Sequence, residues 1–380
     1  MRDGGSTLLT ADAIAGHADA IRHWLLGDAP QIAGGRHDGG VLGWVSGRDA
    51  FVYPEIMGYY LTALMFIART EPACASQCAD RAARALDWLH RRDAWTTRDY
   101  LHGHGDDWRN RVTFTFDTGI VLRGVTSWTA ASRTRRLAAR VRTACLDTLS
   151  RVPPAAGGRL GSHRGASAGR GGVPRRWSTQ SGPHLVKAAA AIGELPMSLR
   201  PAAVSRRAER TVRHWRARIS TGRLTAESHP LFYCLEGLLL DAMARRRQPA
   251  WAAIGNVLLA MSPPGEDGDY PERLTRPYGP RRGDVTAQAL RLACLVPDTG
   301  ERDRLMALRA ARDRACGALI RKYVDDDGAV HVFPIRGADR RRENNPPNVW
   351  AAIFAYQALR FYGSVLRGRR IPPRLVRLLA

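Results

Sequence analysis

The chain of 380 residues is long enough to bury a large core, and its hydrophobic fraction of 44% is typical of a globular protein. The net charge of +23 is almost entirely arginine, because only Lys187 and Lys322 among the 58 basic residues are lysine. A GC-rich genome imposes such a composition, and the arginines are scattered along the chain without interleaved aromatic residues. We therefore do not expect nucleic acid as the partner.

The apolar segments are too short for a membrane span, which needs about 18 or more consecutive apolar residues. Residues 1–20 also lack the charged and apolar pattern of a secretory leader. The six cysteines lie mostly inside apolar helical segments, and Cys74 and Cys78 have no second pair that would complete a zinc site. We expect a cytoplasmic protein with buried thiols, no metal and no cofactor.

Apolar residues recur with the helical period along most of the chain, and strand patterns are nearly absent. The periodicity predicts twelve helices, at 10–26, 54–69, 76–92, 117–131, 135–150, 182–192, 202–217, 229–245, 250–261, 283–296, 303–323 and 346–366. Between the fifth and sixth helices, 153–181 is rich in Gly, Ser and Arg and is predicted to be a long loop.

The predicted helices alternate between two kinds. The odd-numbered ones, such as "CADRAARALDWLHRR", carry charges around much of their circumference, which indicates outer helices with one buried face. The even-numbered ones, such as "HPLFYCLEGLLLDAM", are apolar nearly all round, which indicates inner helices. Six outer helices alternating with six inner helices predict an all-α fold, the (α/α)6 toroid. We expect it to form one domain over 1–380.

Each predicted inner helix begins with a polar residue. These residues are Glu55, Asp117, His184, His229, Asp284 and, for the last helix, Asn345 and Asn348. If the inner helices are parallel, all six ends meet at one rim and form a pocket. A single acid or amide there is explained by helix capping alone, but two histidines in a set of six are not.

More polar residues follow one or two turns inside the same helices: Tyr59, Arg123, Lys187, Tyr233, Glu236, Gln288 and Arg291. Glu236 has no cation within a turn of its own helix, so Arg123 or Arg291 of a neighbouring helix is its expected partner if it is not solvated. Aromatic residues lead into the inner helices. Their faces can bind sugar rings, but aromatic residues also commonly cover the end of an apolar core. They include Trp44, Phe51, Trp108, Phe114, Trp177, Tyr270, Tyr278, Phe333 and Trp350.

Five segments carry a resemblance to a known family: "VYPEIMGYY", "FTFDTGIVLRGV", "HPLFYCLEGLL", "GDVTAQALRL" and "PPNVWAAIFAYQAL". They resemble the repeated signatures of (α/α)6-toroid proteins from polysaccharide-related gene sets. The chain is similar over about 50–366 to the helical domain of glucuronyl C5-epimerases and, more loosely, to unsaturated-uronyl hydrolases and toroid lyases. The β-rich domain that usually accompanies epimerase and lyase toroids is missing.

The resemblance implies action on uronic-acid-containing or other glycans by tyrosine, carboxylate and histidine groups, without an organic cofactor. Carried onto this chain, these roles fall on Tyr59, Glu55, His229, Tyr233 and Glu236.

Three hypotheses follow from these residues. The first is acid–base chemistry on a sugar or carboxylate substrate: epimerisation, elimination or hydrolysis. Its base is His229 or His184, opposed by Tyr233 or Glu236. The substrate carboxylate is held by Arg123, Lys187 or Arg291, with Gln288, Trp350 and the inner-helix amides as further binding groups. A glycosidase instead uses two carboxylates from Glu55, Asp117, Glu236 and Asp284.

The second hypothesis is a tailoring enzyme that isomerises or cyclises a peptide or another secondary metabolite. The third is a non-catalytic module that binds a glycan or a partner protein. The sequence leaves all three open.

Overall fold

A computed structural model describes residues 9–46, 50–92, 108–131, 133–165, 173–222, 227–261, 268–276, 278–298, 301–336 and 345–380. In these ranges the chain forms twelve helices of eight residues or more, within about four residues of the predicted bounds. They are α1 Ala11–Leu25, α2 Pro54–Thr70, α3 Ala75–Arg92, α4 Thr115–Ser127, α5 Arg135–Arg151, α6 Leu185–Glu194, α7 Ala202–Ser220, α8 Ser228–Ala244, α9 Trp251–Met261, α10 Gly283–Leu295, α11 Arg302–Tyr323 and α12 Val349–Leu366.

Two features were not predicted. A short helix, α13 Pro373–Val376, follows α12. The predicted loop 153–181 contributes β2 His163–Arg164, which pairs antiparallel with β1 Thr113–Phe114 just before α4.

The six even-numbered helices form a closed inner ring. Each packs on the next, from α2 through α4, α6, α8 and α10 to α12, and α12 packs back on α2. The odd-numbered helices pack outside, with α3 on α2, α5 on α4, α7 on α6, α11 on α10 and α1 on α12. The predicted (α/α)6 toroid is confirmed, while the single domain over 1–380 stays a prediction.

Burial follows the difference in composition. In α8, every residue from Ser228 to Ala242 is buried, because both faces of an inner helix meet other helices. Outer helix α7 buries only the face that carries Val204, Ala208, Val212, Trp215 and Ile219, with the helical spacing that places them in one stripe.

Two glycines let inner helices approach closely. A Cβ atom on Gly58 of α2 would lie 2.5 Å from the Ile120 carbonyl oxygen of α4. A Cβ on Gly237 of α8 would lie 2.5 Å from the Lys187 backbone nitrogen of α6. Only glycine fits at such distances, so these positions fix the spacing of the ring.

None of the described helices has the length and hydrophobicity needed to cross a membrane.

Candidate active site

A pocket of about 180 Å³ opens where the N-terminal ends of α2, α4 and α8 meet the segments that lead into the inner helices. We call it the mouth pocket. Its charged and titratable lining consists of Glu55, Asp117, His229, Arg109, Arg176 and Arg282. Its aromatic lining consists of Tyr53, Trp108, Phe114, Phe116, Trp177, Tyr233 and Trp350. Of the predicted helix-start residues, the pocket therefore brings together Glu55, Asp117 and His229.

Glu55 and Asp117 stand in the first turns of α2 and α4, two helices that pack directly on each other. Pro54 opens α2 and needs no N–H partner there, which leaves Glu55 at the positive end of the helix. The Tyr53 side chain interacts with both carboxyl groups and acts to lower the pKa of each. Asp117 is buried, and its Oδ2 has no hydrogen-bond partner among the described residues. The two acids therefore form one carboxyl pair that shares Tyr53 as a neighbour.

The surroundings of this pair favour the protonated form. Burial raises the pKa of Glu55 to about 7, although the Tyr53 hydrogen bond and the Lys187 charge act against it. Burial, followed by repulsion from Glu55, raises the pKa of Asp117 well above its ordinary value. Two neighbouring carboxyls in a low dielectric cannot both ionise cheaply, so the pair keeps a proton near neutral pH.

His229, in the first turn of α8, lies among aromatic rings of the pocket. Its ring lies 4.4 Å from the Tyr233 ring and 6.0 Å from the Trp177 ring, centroid to centroid. Burial lowers the pKa of His229 to about 4, opposed by Asp284, whose Oδ2 is 3.7 Å from Nδ1. The imidazole is therefore neutral at pH 7 and able to accept a proton.

Asp284 does not itself line the pocket but binds two residues that do. Its carboxylate accepts hydrogen bonds from Arg282 at 3.0 and 2.6 Å, from the Val285 N–H at 2.9 Å and from the Trp350 indole at 3.1 Å. Burial raises its pKa, but the charge of Arg282 outweighs burial and lowers the pKa of Asp284 to about 2. This permanent anion fixes Arg282 and Trp350, which do line the pocket.

Glu236 lies below the pocket in a fully buried ionic cluster. Its Oε2 accepts a hydrogen bond from Lys187 Nζ at 2.7 Å, and its Oε1 is bonded to Arg291. Burial raises its pKa, but Arg291 and Lys187 outweigh burial, lower the pKa of Glu236 and keep it charged. Arg291 is thus the neighbouring-helix partner that the sequence suggested for Glu236.

This pairing revises the roles that we expected for the two cations. Arg291 also donates to the Gln357 side chain at 2.8 Å, and Lys187 donates to the Ala380 carbonyl. Arg123 binds Glu194 at 3.0 Å and the carbonyls of Arg377 and Leu379. None of these cations lines the mouth pocket, so they do not form the carboxylate clamp of the first hypothesis.

The remaining predicted residues support the walls of the pocket. The Tyr59 ring stacks on that of Tyr233 with centroids 6.2 Å apart, and Lys187 Nζ lies 4.9 Å from both ring centroids. His184 is buried against Phe116 and Trp177, with ring centroids 5.2 and 5.1 Å from its own. Burial lowers its pKa to about 3, so it is neutral.

Three predicted amides lie outside the pocket lining. Asn348 caps α12 by accepting the Ala351 N–H at 2.9 Å, and Asn345 exchanges two hydrogen bonds with the Phe333 backbone. Gln288 is fully buried in α10, and its side-chain amide has no hydrogen-bond partner among the described residues.

Two important residues were missed from the sequence, Tyr53 and Arg282. Each stands two positions before a helix-start acid, Tyr53 before Glu55 and Arg282 before Asp284, and each bonds that acid. This common spacing was a usable signal. Arg109 and Arg176 of the pocket lining come from the loops before α4 and α6, where no local pattern marks them.

No protein-family model matches the sequence, and no curated protein matches it. Solved structures do match. They include a sugar epimerase from a ruminal bacterium, with a TM-score of 0.67, 11% identity and coverage of 95% of this chain and 100% of that one. Another is the cellobiose 2-epimerase of Spirochaeta thermophila, with a TM-score of 0.63, 14% identity and coverage of 94% and 97%.

A third match is the unsaturated glucuronyl hydrolase of a Bacillus species, an enzyme of glycosaminoglycan degradation. Its TM-score is 0.60 at 14% identity, with coverage of 94% of this chain and 97% of that one. At such low identity the likeness concerns the fold. The chain has the helical toroid fold of these sugar-processing proteins along nearly its whole length.

Proposed function

We propose that this protein is a cofactor-independent acid–base enzyme that hydrolyses a glycosidic bond, with Glu55 and Asp117 as its proton-transfer pair. The observation that carries the proposal is the pair itself. Two carboxyl groups from the adjacent helices α2 and α4 line the mouth pocket, both interact with Tyr53, and both pKa values are raised. A carboxylic acid that keeps its proton near pH 7 is what a glycosidase needs as a general acid.

The reaction uses one water molecule. As the bond between the anomeric carbon and the glycosidic oxygen breaks, the protonated carboxyl of the pair gives its proton to the leaving oxygen. The other carboxyl, ionised, stabilises the positive charge that develops on the sugar and takes a proton from the attacking water. Proton transfer of this kind typically contributes about 10² to 10⁴ in rate for each positioned group.

The rest of the pocket suits a sugar ring. Trp108, Trp177 and Trp350 offer aromatic faces, and Arg109, Arg176 and Arg282 offer donors for hydroxyl or carboxylate oxygens. The names of the structural neighbours, which act on glucuronyl and cellobiosyl substrates, favour a sugar over a peptide as the ligand.

A second candidate reaction, epimerisation, is favoured by one observation. His229 is neutral and lines the same pocket as the carboxyl pair, so a base and an acid face a common space. Removal of a proton from a sugar carbon by His229, and delivery of a different proton to the other face by the protonated carboxyl of the pair, would invert that carbon without water being added.

Product mass separates the two reactions. The protein is incubated with glucose- and glucuronate-containing oligosaccharides in D₂O, and the products are analysed by mass spectrometry. Hydrolysis yields two shorter products and leaves carbon-bound hydrogen unexchanged, whereas epimerisation retains the chain length and introduces deuterium at carbon. We expect hydrolysis, lost in Asp117→Asn and retained in the exposed-carboxyl control Asp147→Asn. Carbon deuteration that depends on His229 would establish the second candidate instead.

A further inference from the structure

The positive charge is concentrated in one part of the chain. Residues 135–218 contain 18 basic residues and 3 acidic ones, which gives +15 of the total net charge of +23. These 84 residues are less than a quarter of the sequence. A genome-wide preference for arginine codons acts on the entire chain, so it does not explain this concentration.

The fold places much of this charge on one side of the toroid. Residues 135–218 include the outer helices α5 and α7, which pack against each other, and the loops that join them to α6. Arg136, Arg140, Arg206, Arg210 and Arg213 are all exposed on these two helices. Arginines that look scattered in the sequence therefore share one surface, where their potentials add.

An open groove of about 850 Å³ runs along α7 in this surface. We call it the basic groove, and its charged lining consists of Arg159, Arg210, Arg213, His214 and Arg218. On α7 these residues recur at spacings of three and four, so they share one helix face. The lining contains no acidic residue, and among the described residues no carboxylate forms an ion pair with these four arginines.

The groove is held in shape by the loop after α5. The Leu160 N–H donates to Thr211 Oγ1 of α7 at 2.9 Å, which fastens the loop to the helix. Gly158 has a φ of +66°, in the left-handed region that favours glycine, and the loop turns there beside Arg210. Arg218 lies 5.3 Å from the ring centroid of Trp215, which supports it from below.

The same loop leads from the groove to the mouth pocket. Three residues after Leu160 the chain forms β2, whose His163 pairs with Phe114 of the pocket lining. Ser162 Oγ donates to the Thr179 carbonyl at 2.9 Å, which ties this loop to the segment that contains Arg176, another lining residue. The loop thus connects the basic groove to two segments that line the mouth pocket.

We propose that the basic groove is a docking surface for the chain of an acidic polysaccharide whose end occupies the mouth pocket. This inference rests on the proposed glycosidase function. Regularly spaced carboxylates or sulfates along an extended chain match a row of unpaired guanidinium groups, which bind such anions in a bidentate way. Single-stranded nucleic acid requires exposed aromatic rings for base stacking, and Trp215 at the groove is only 7% exposed.

Binding can be tested without turnover. Fluorescein-labelled oligogalacturonate is titrated with wild-type protein and with the triple variant Arg159→Gln, Arg210→Gln, Arg213→Gln, and anisotropy is recorded over a series of salt concentrations. The matched control removes the same charge elsewhere, with Arg302→Gln, Arg321→Gln and Arg369→Gln. Unchanged circular dichroism spectra and melting temperatures show that both variants are folded.

We expect the groove variant to lose about tenfold or more in affinity, and its plot of log Kd against log salt to flatten by about 2, at roughly 0.7 for each lost contact. The control should change by less than about twofold. Equal losses in the two variants would show general charge attraction and overturn the proposal. Tighter groove-dependent binding of a DNA oligonucleotide of matched charge would also overturn it, in favour of nucleic acid.

The groove and the active site can fail separately. Hydrolysis of a short aryl glycoside depends on the carboxyl pair and should be unaffected in the groove variant. Normal polysaccharide binding by the groove variant would therefore reject the docking surface alone. Groove-dependent binding by a protein that cleaves no glycan would retain the docking surface and reject the glycosidase.

Discussion

Replacing Glu55 by glutamine should stabilise the folded protein above pH 7. Glutamine retains the size and hydrogen-bonding capacity of the side chain but removes its charge. Burial raises the pKa of Glu55 from 4.5 to about 7, so the folded protein binds this proton more tightly than the unfolded chain does. The free energy of unfolding therefore falls as the pH rises through that interval, by linkage. Glutamine cannot ionise, so this contribution does not fall with pH in the Glu55→Gln variant.

The size of the effect follows from the shift. Each pKa unit corresponds to about 1.4 kcal/mol, so the shift of Glu55 from 4.5 to about 7 is worth at most about 3.5 kcal/mol. Below about pH 4.5 Glu55 is protonated in both states, and the two proteins should have similar stabilities. Between there and about pH 7 the difference should grow in favour of Glu55→Gln, and at higher pH it should stay constant.

The assay is equilibrium urea unfolding of wild type and Glu55→Gln from about pH 4 to about pH 9. Titrating groups remote from the pocket are common to both proteins and cancel in the difference, whereas the pKa of Asp117 falls when the charge of Glu55 is removed. The control is Glu301→Gln, an exposed glutamate at the start of α11, which should follow wild type at every pH. A Glu55→Gln curve parallel to wild type, or one less stable at high pH, would refute the claim that Glu55 binds its proton near neutrality.

Three other changes test the surroundings of the pocket. Glu236→Gln leaves Lys187 and Arg291 buried without their counter-ion, and should cost about 3 to 5 kcal/mol in urea unfolding; a cost within experimental error would contradict the buried cluster. Gly58→Ala forces α2 away from α4 and should cost about 1 to 3 kcal/mol or more, seen as a lower melting temperature; an unchanged melting temperature would disprove the close approach. Tyr53→Phe removes a group that stabilises the ionised form of Glu55, so the pKa of Glu55 should rise further. The difference in unfolding free energy between Tyr53→Phe and the double variant Tyr53→Phe, Glu55→Gln should then level off at a higher pH than the difference between wild type and Glu55→Gln. Levelling off at the same or a lower pH would show that Tyr53 does not stabilise the ionised carboxyl.

The fold was predictable because its signal is local. An inner helix such as α8 needs apolar residues on all faces, whereas an outer helix such as α7 needs them on one, and either pattern can be read from a single segment. The pairing of β1 with β2 was not predictable. Each strand has only two residues, which is too short to show a periodic pattern, and the strands lie about 50 positions apart in the sequence.

The helix-start acids Glu55 and Asp117 were found because parallel inner helices bring their N-terminal ends together. Arg291 was among the expected partners of Glu236, but the place of Lys187 in the same buried cluster was not predicted, because it depends on side-chain reach between helices α6 and α8. Arg123 was misassigned for another reason. Its partners are Glu194 and the carbonyls of residues 377 and 379, and the path of that C-terminal segment is a tertiary feature with no counterpart in the sequence of α4.

The central claim is that Glu55 and Asp117 act as one unit on a glycosidic bond, and cleavage rates of single and double variants test it most directly. With an oligosaccharide that the wild type cleaves, Glu55→Gln and Asp117→Asn should each reduce kcat/KM by about 10² to 10⁴. The double variant should be about as impaired as the worse single variant, because residues that work as a unit are not additive. Wild-type cleavage rates in either single variant would contradict the claim.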